Sequence, residues 1–144
     1  MAKVAVVYWS GTGNTQKMAE AVVEGAKGAG AEVECFEVDS FSVDQIDGFD
    51  GLALGCPSMG AEELEEGSYE PFFAAAVDSG KLSGKPVVLF GSWGWGAGAW
   101  METWSERTTE AGAKLVNTFI VENEPDDDGL EGSKKLGAAI AGAC

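Results

Sequence analysis

The chain contains no histidine, and only nine of its 144 residues are basic against twenty-four acidic, a net charge of −15. The first absence removes the side chain most used as a general base and a metal ligand. The second leaves no cationic surface to neutralise phosphates, so neither nucleic acid nor an anionic membrane is an expected partner. Cysteine is scarce as well: Cys35, Cys56 and Cys144 are odd in number and far apart. That argues against a disulfide framework, and no Cys-x-x-Cys pair suggests zinc or an iron–sulfur cluster. No apolar run approaches the ~20 residues that span a bilayer, and the amino end lacks the hydrophobic region and cleavage site of a signal peptide. A reduced, cytoplasmic protein is expected. Basic residues are missing altogether between Lys27 and Lys81, where thirteen acids fall. A solvated acidic surface explains this, and so does a docking face for basic partners.

What is present is apolar residues at a 45% share, enough for one globular domain over residues 1–144. Their spacing alternates between two kinds. Residues 4–9, 51–55 and 86–90 are short, nearly continuous apolar runs, as in strands buried on both faces. Residues 33–38 alternate apolar with acidic, a strand with one wetter face at a sheet edge, and residues 114–121 form a fifth strand. Between them Met18, Ala19, Val22, Val23 and Ala26 recur at helical spacing. So do Trp100, Met101, Trp104, Thr108 and Ala111, and later Leu136, Ala139, Ile140 and Ala143. Residues 70–77 read as a short helix with proline in its first turn, and residues 124–129 as a turn. Strand–helix alternation means an α/β domain, a doubly wound parallel sheet with helices on both faces. Ligands of such sheets bind beyond the carboxyl ends of the strands.

Three loops leave those ends. Ser10-Gly11-Thr12-Gly13-Asn14-Thr15 offers glycines that let successive N–H groups point inward, hydroxyls and an amide, and the positive end of the next helix. Helix capping needs one such residue, not six in a row, and a phosphate is the natural guest. No Lys-Ser or Lys-Thr follows, and no third glycine, so the triphosphate and dinucleotide fingerprints both fail. A monophosphate held by neutral donors remains, with Lys17 counted as surface. Residues 91–98 place Trp93 and Trp95 among Gly91, Ser92, Gly94, Gly96 and Gly98; a flat conjugated ligand stacked on an indole explains them, as would indoles covering the core. The middle loop adds Met59, an adaptable thioether, Gly60, and the rim carboxylates Glu62 and Glu63. Cys56 reads as a small buried residue. Together the three loops describe a site for flavin mononucleotide (FMN).

Four motifs in order, YWSGTGNT (8–15), GCPSMGAEELEEGSYEPFF (55–73), LFGSWGWGAGAWM (89–101) and IVENEPDD (120–127), resemble the short-chain flavodoxins along nearly the whole chain. The resemblance implies the family's five-stranded order 2-1-3-4-5, with FMN at the switch point. It implies that Ser10, Thr12, Asn14 and Thr15, with the amides around Gly11 and Gly13, bind the phosphate. Trp95 and Met59 would cover the two faces of the ring. Glu62 would accept a hydrogen bond from N3–H, with the Ala61–Glu62 amides near O4. Pro57 and Ser58 precede these, while Ser92, Trp93, Gly94 and Gly96 would line the pyrimidine edge and ribityl chain. The Gly60 peptide would flip on one-electron reduction, which a glycine makes cheap. The implied function is low-potential electron transfer in place of ferredoxin, between semiquinone and hydroquinone, by a monomer without substrate turnover that docks transiently on redox enzymes with basic surfaces. Acids at 62, 63, 65, 66 and 70 would tune the potential. No metal is expected.

Overall fold

A computed structural model describes residues 2–59, 64–94 and 98–144. The elements follow the apolar spacing: β1 (Lys3–Tyr8), α1 (Asn14–Gly28), β2 (Glu32–Glu37), β3 (Gly51–Gly55), α2 (Tyr69–Ser79), β4 (Pro86–Trp93), α3 (Ala99–Glu110), β5 (Lys114–Glu122) and α4 (Asp127–Ala143). The five strands are all parallel, in the order β2-β1-β3-β4-β5. This is the expected doubly wound sheet. The order reverses between β1 and β3, so the loops leaving those two strands diverge and open a crevice.

Alternate side chains of each strand enter opposite layers. Val4, Val6 and Tyr8 of β1 join Ala53, Val88 and Phe90 beneath Met18, Ala19 and Val22 of α1 and Leu136 and Ile140 of α4. Ala5 and Val7 join Leu52, Leu54, Val87 and Leu89 beneath Tyr69, Phe72 and Phe73 of α2 and Trp100, Met101 and Trp104 of α3. Trp100 and Trp104 are core residues, as their helical spacing predicts. Helices α1 and α4 meet through glycines: a Cβ on Gly25 would lie 1.9 Å from the Lys134 carbonyl oxygen, and one on Gly137 2.0 Å from that of Val22. Only residues without side chains permit this approach.

Three expectations change. Strand β4 does not stop at residue 90 but continues through Ser92 and Trp93, because these pair with Val121 and Glu122 of β5. The first part of the glycine-rich stretch is therefore strand. The last helix begins inside the turn expected at 124–129, because the Asp126 carboxylate accepts the Gly129 N–H at 2.8 Å and caps it. Strand β1 lies at Lys3–Tyr8, one residue earlier than expected, so Trp9 is already in the loop. Two 3-10 turns, Val38–Ser40 and Val43–Gly48, were not legible. They carry Phe41 and Ile46 into the core under α2, beside Phe49. At β5 a bulge skips Val116, which points outward and is 38% exposed.

Candidate functional site

Beyond β1 the Trp9 N–H donates to the Gly55 carbonyl at 3.0 Å, holding the two diverging chains together for one more residue. The loop then folds on itself. The Ser10 hydroxyl accepts the Gly13 N–H at 3.0 Å, and the Thr12 hydroxyl accepts that of Asn14 at 3.4 Å. Gly13 takes φ +94°, a left-handed turn that a side chain would strain, and stands at the N-cap of α1. No side chain caps α1 and no acid sits in its first turn. Apart from the long Thr12 contact to Asn14, the described residues leave its positive end uncapped and without an acid in its own first turn. Thr15, in that first turn, is 1% exposed, and its hydroxyl oxygen has no hydrogen-bond partner among the described residues. A buried hydroxyl without a partner costs stability unless something is meant to meet it.

Beyond β3 the ladder also runs on: the Cys56 N–H donates to the Phe90 carbonyl at 3.1 Å, and that of Ser58 to the Ser92 carbonyl at 3.0 Å. Cys56 is fully buried, and burial pushes its thiol up to about 12, so it stays a neutral packing residue with no nucleophilic role. Pro57, Ser58 and Met59 follow, half-buried. Glu65 closes this loop. Partial burial alone would raise its carboxyl, but N–H groups of Tyr69, Ser68 and Gly67 outweigh that and hold it below its ordinary value.

Ser92 is 5% exposed near the end of β4, and Trp93 packs half-buried against the α2–α3 core layer. Asn123, just past β5, donates its N–H to the Trp93 carbonyl at 2.7 Å. Asn123 adopts φ +57°, the one left-handed non-glycine among the described residues. The next residue, Glu124, pairs with Lys17 of α1 at 2.5 Å, and this lowers the Glu124 carboxyl. Lys17, the first cation after the 10–15 loop in sequence, is therefore engaged, and exposed as expected.

These strand ends enclose a cleft of about 240 Å³. Trp9, Gly11, Thr12 and Asn14 line it from the β1 side, Pro57, Ser58 and Met59 from β3, Ser92, Trp93 and Gly94 from β4, and Asn123 from β5. The predicted residues Ser10, Gly13 and Thr15 are not part of this lining; Ser10 and Gly13 shape the loop, and Thr15 lies one residue beyond Asn14. Gly60, Ala61, Glu62, Trp95 and Gly96 lie outside the described residues. Trp9 and Asn123 were missed. Apolar spacing places Trp9 in the strand, though its ring lies against Gly11, where a Cβ would come within 2.9 Å of it. The signal for Asn123 was Asn-Glu-Pro directly after a strand, a turn sequence in which asparagine tolerates a left-handed backbone.

Chemically, the cleft offers hydroxyls, amides and an open helix end on one side and indole and thioether surface on the other. No described residue there is poised as an acid, base or nucleophile. The donor set fits a molecule with a phosphate at one end and a flat apolar ring at the other. Of the acids expected to act on it, Glu70 is held by the Arg107 guanidinium in a two-pronged bond at 2.6 and 2.7 Å, which offsets its charge. No described helix is long and apolar enough to cross a membrane.

Comparison with known proteins follows the same line. Residues 6–137 match the family model described as flavodoxin. The chain is 47% identical to the flavodoxin of Megasphaera elsdenii over 140 residues, covering 97% of this chain and 99% of that one. It is 47% identical to the flavodoxin of Clostridium beijerinckii over 135 residues, 91% and 96% of the two chains. The solution structure of two-electron reduced M. elsdenii flavodoxin superimposes with a TM-score of 0.89 over 96% of this chain and 98% of that one. With its family model, its length and its sheet order all in agreement, the chain belongs to the flavodoxin family, among the short-chain members.

Proposed function

We propose that residues 1–144 form one FMN-binding domain that carries single electrons between redox enzymes, in the place of a ferredoxin. The observation that carries this reading is the buried, partnerless Thr15 hydroxyl at the uncapped end of α1, one residue from the cleft. A phosphate supplies the acceptor such a group lacks. Ser10, Thr12, Asn14 and Thr15, with the backbone around Gly11 and Gly13, hold that phosphate. Pro57, Ser58, Ser92, Trp93, Gly94 and Gly96 flank the ribityl chain and pyrimidine edge. Met59 and Trp95 cover the ring faces, Ala61 and Glu62 hold its polar edge, and the Gly60 peptide reorients as the charge on the ring changes. These roles rest on the family resemblance.

FMN, when bound, supplies the electron chemistry, which we place between its half-reduced and fully reduced forms. The chain orients it, shields it from water and surrounds it with acids that oppose added negative charge. With nine bases against twenty-four acids, a partner with a basic docking surface is attracted from a distance and released readily. The protein acts as a monomer in the cytoplasm and turns over no substrate of its own.

Stepwise anaerobic reduction of the purified protein, followed by its visible spectrum, tests the reading. A yellow protein that passes through a blue form to a colourless one supports it. A direct passage from yellow to colourless, or steady NAD(P)H oxidation without a separate reductase, would overturn it in favour of a flavin-dependent reductase. A colourless protein that refuses added FMN would overturn the site itself.

A further inference from the structure

We infer that Glu65 is a positioning residue for the cofactor loop and not one more charge in the acidic surface, a reading that rests on the FMN site proposed above. The loop leaves β3 at Cys56 and enters α2 at Tyr69. Its near end is fixed: the Cys56 N–H donates to the Phe90 carbonyl at 3.1 Å, and the Cys56 carbonyl accepts the Trp100 indole N–H at 3.2 Å. At its far end Tyr69 is buried, with its hydroxyl donating to the Val7 carbonyl at 2.7 Å, and the backbone leading into it is gathered by Glu65. One carboxylate oxygen accepts the N–H groups of Ser68 and Tyr69 at 2.7 and 3.0 Å, and the other accepts that of Gly67 at 2.7 Å. The Glu65 carbonyl also accepts the Glu70 N–H at 2.8 Å.

The two ends then meet. The Glu65 N–H donates to the Cys56 sulfur at 3.4 Å, closing the neck of the loop. The connection between β3 and α2, whose first part brings Met59 to the cleft, is thus clasped where Cys56 meets Glu65. Ser68 occupies the N-cap position of α2 but makes no capping bond, so Glu65 does that work from three residues upstream. Its charge is met by the amides at the positive end of the helix. The neighbouring cation, Arg107, is taken by Glu70. A carboxylate serving only as a distant charge would stay in water, as its exposed neighbour Glu66 does. A clasp of this kind holds the two ends of the connection before the ligand arrives, which lowers the ordering cost of binding.

The test compares Glu65→Ala with Glu65→Gln. The Gln variant loses the charge but keeps one oxygen for Ser68 and Tyr69. Removal of the clasp in Glu65→Ala is expected to weaken FMN affinity of the FMN-free protein by about threefold to thirtyfold, the range for a lost helix cap, with most of it recovered in Glu65→Gln. Amide exchange at Ser68 and Tyr69 without cofactor should quicken in Ala and stay near wild type in Gln, while Gly67, whose acceptor oxygen becomes an amide nitrogen in Gln, quickens in both. Equal losses in both variants, with equal shifts in reduction potential that shrink in salt, would assign Glu65 to the charge field and overturn the clasp. Unchanged amide exchange in Ala would overturn it as well. Should Glu65→Ala not fold, Glu65→Asp replaces it: Asp keeps the charge but shortens the reach, so it must perform worse than Gln for the clasp to stand. Failure of the wild-type chain to take up FMN would count against the proposed function instead, since the exchange measurement needs no cofactor.

Discussion

Gly137 lies inside α4, where the usual rule says that alanine is better by ~1 kcal/mol. The structure reverses the sign. A Cβ there would sit 2.0 Å from the Val22 carbonyl oxygen and 2.8 Å from the Ala26 nitrogen, inside the 3.0 Å that real Cβ contacts respect. Both obstacles are backbone atoms of α1, so no rotamer can turn away and the helices must part by about an ångström. The seam between them holds Met18, Ala19 and Val22, none of them exposed, and Leu136 at 3%. Overpacking of this kind costs ~1–3 kcal/mol, and rigid partners put it at the upper end. Less the propensity gain, Gly137→Ala should destabilise the protein by about 2 kcal/mol. Gly142, nearer the end of the same helix, has nothing within 4 Å of its Cβ position. Gly142→Ala should therefore stabilise, by about 0.5 kcal/mol in a fraying last turn. Urea unfolding of the FMN-free proteins reads both. At a slope of ~2 kcal/mol per molar, the midpoint falls by about 1 M in the first variant and rises slightly in the second, with the slope unchanged. A midpoint that rises in Gly137→Ala would show that propensity outweighs the close approach, and would refute the reasoning.

Thr15→Val removes the partnerless hydroxyl while keeping its shape, so the FMN-free protein should unfold at an equal or higher urea concentration. FMN affinity should fall about tenfold, while affinity for riboflavin, which lacks the phosphate, stays unchanged; an equal loss for both ligands would remove Thr15 from the phosphate site. Acid provides the third test. The folded Glu65 carboxyl lies below its ordinary value of 4.5, so the stability it contributes is whole above that pH and is lost as pH falls through the lower, folded value. Wild type should therefore lose stability relative to Glu65→Gln only below about pH 4.5, and a gap that opens nearer neutrality would show that the carboxyl is not held down.

The sheet was legible because its central strands are covered on both faces and read as unbroken apolar runs, whereas the helices repeat on one side only. Residues 10–15 were legible for a related reason: neither packing nor capping accounts for so many small polar residues together. What escaped depends on partners distant in sequence. The continuation of β4 through Trp93 is decided by pairing with Val121 and Glu122, more than twenty-five residues later. Glu65 looked like its acidic neighbours until α2 was seen to start just beyond it. Gly25 and Gly137 look like flaws in two helices when each is read alone, and only the crossing of α1 and α4 explains both.

The pairing of Lys17 with Glu124 leaves the 10–15 loop, the proposed phosphate site, with dipoles where other anion sites use cations. Salt then acts with opposite signs at two surfaces of one small molecule. A dianionic ligand approaching a chain of charge −15 meets long-range repulsion, which added ions screen, so its retention strengthens as ionic strength rises. A cationic partner approaching the same chain meets attraction, which the same ions weaken. On the function proposed above, conditions that loosen a docked complex tighten the grip on the cofactor, so the two contacts are released under different conditions.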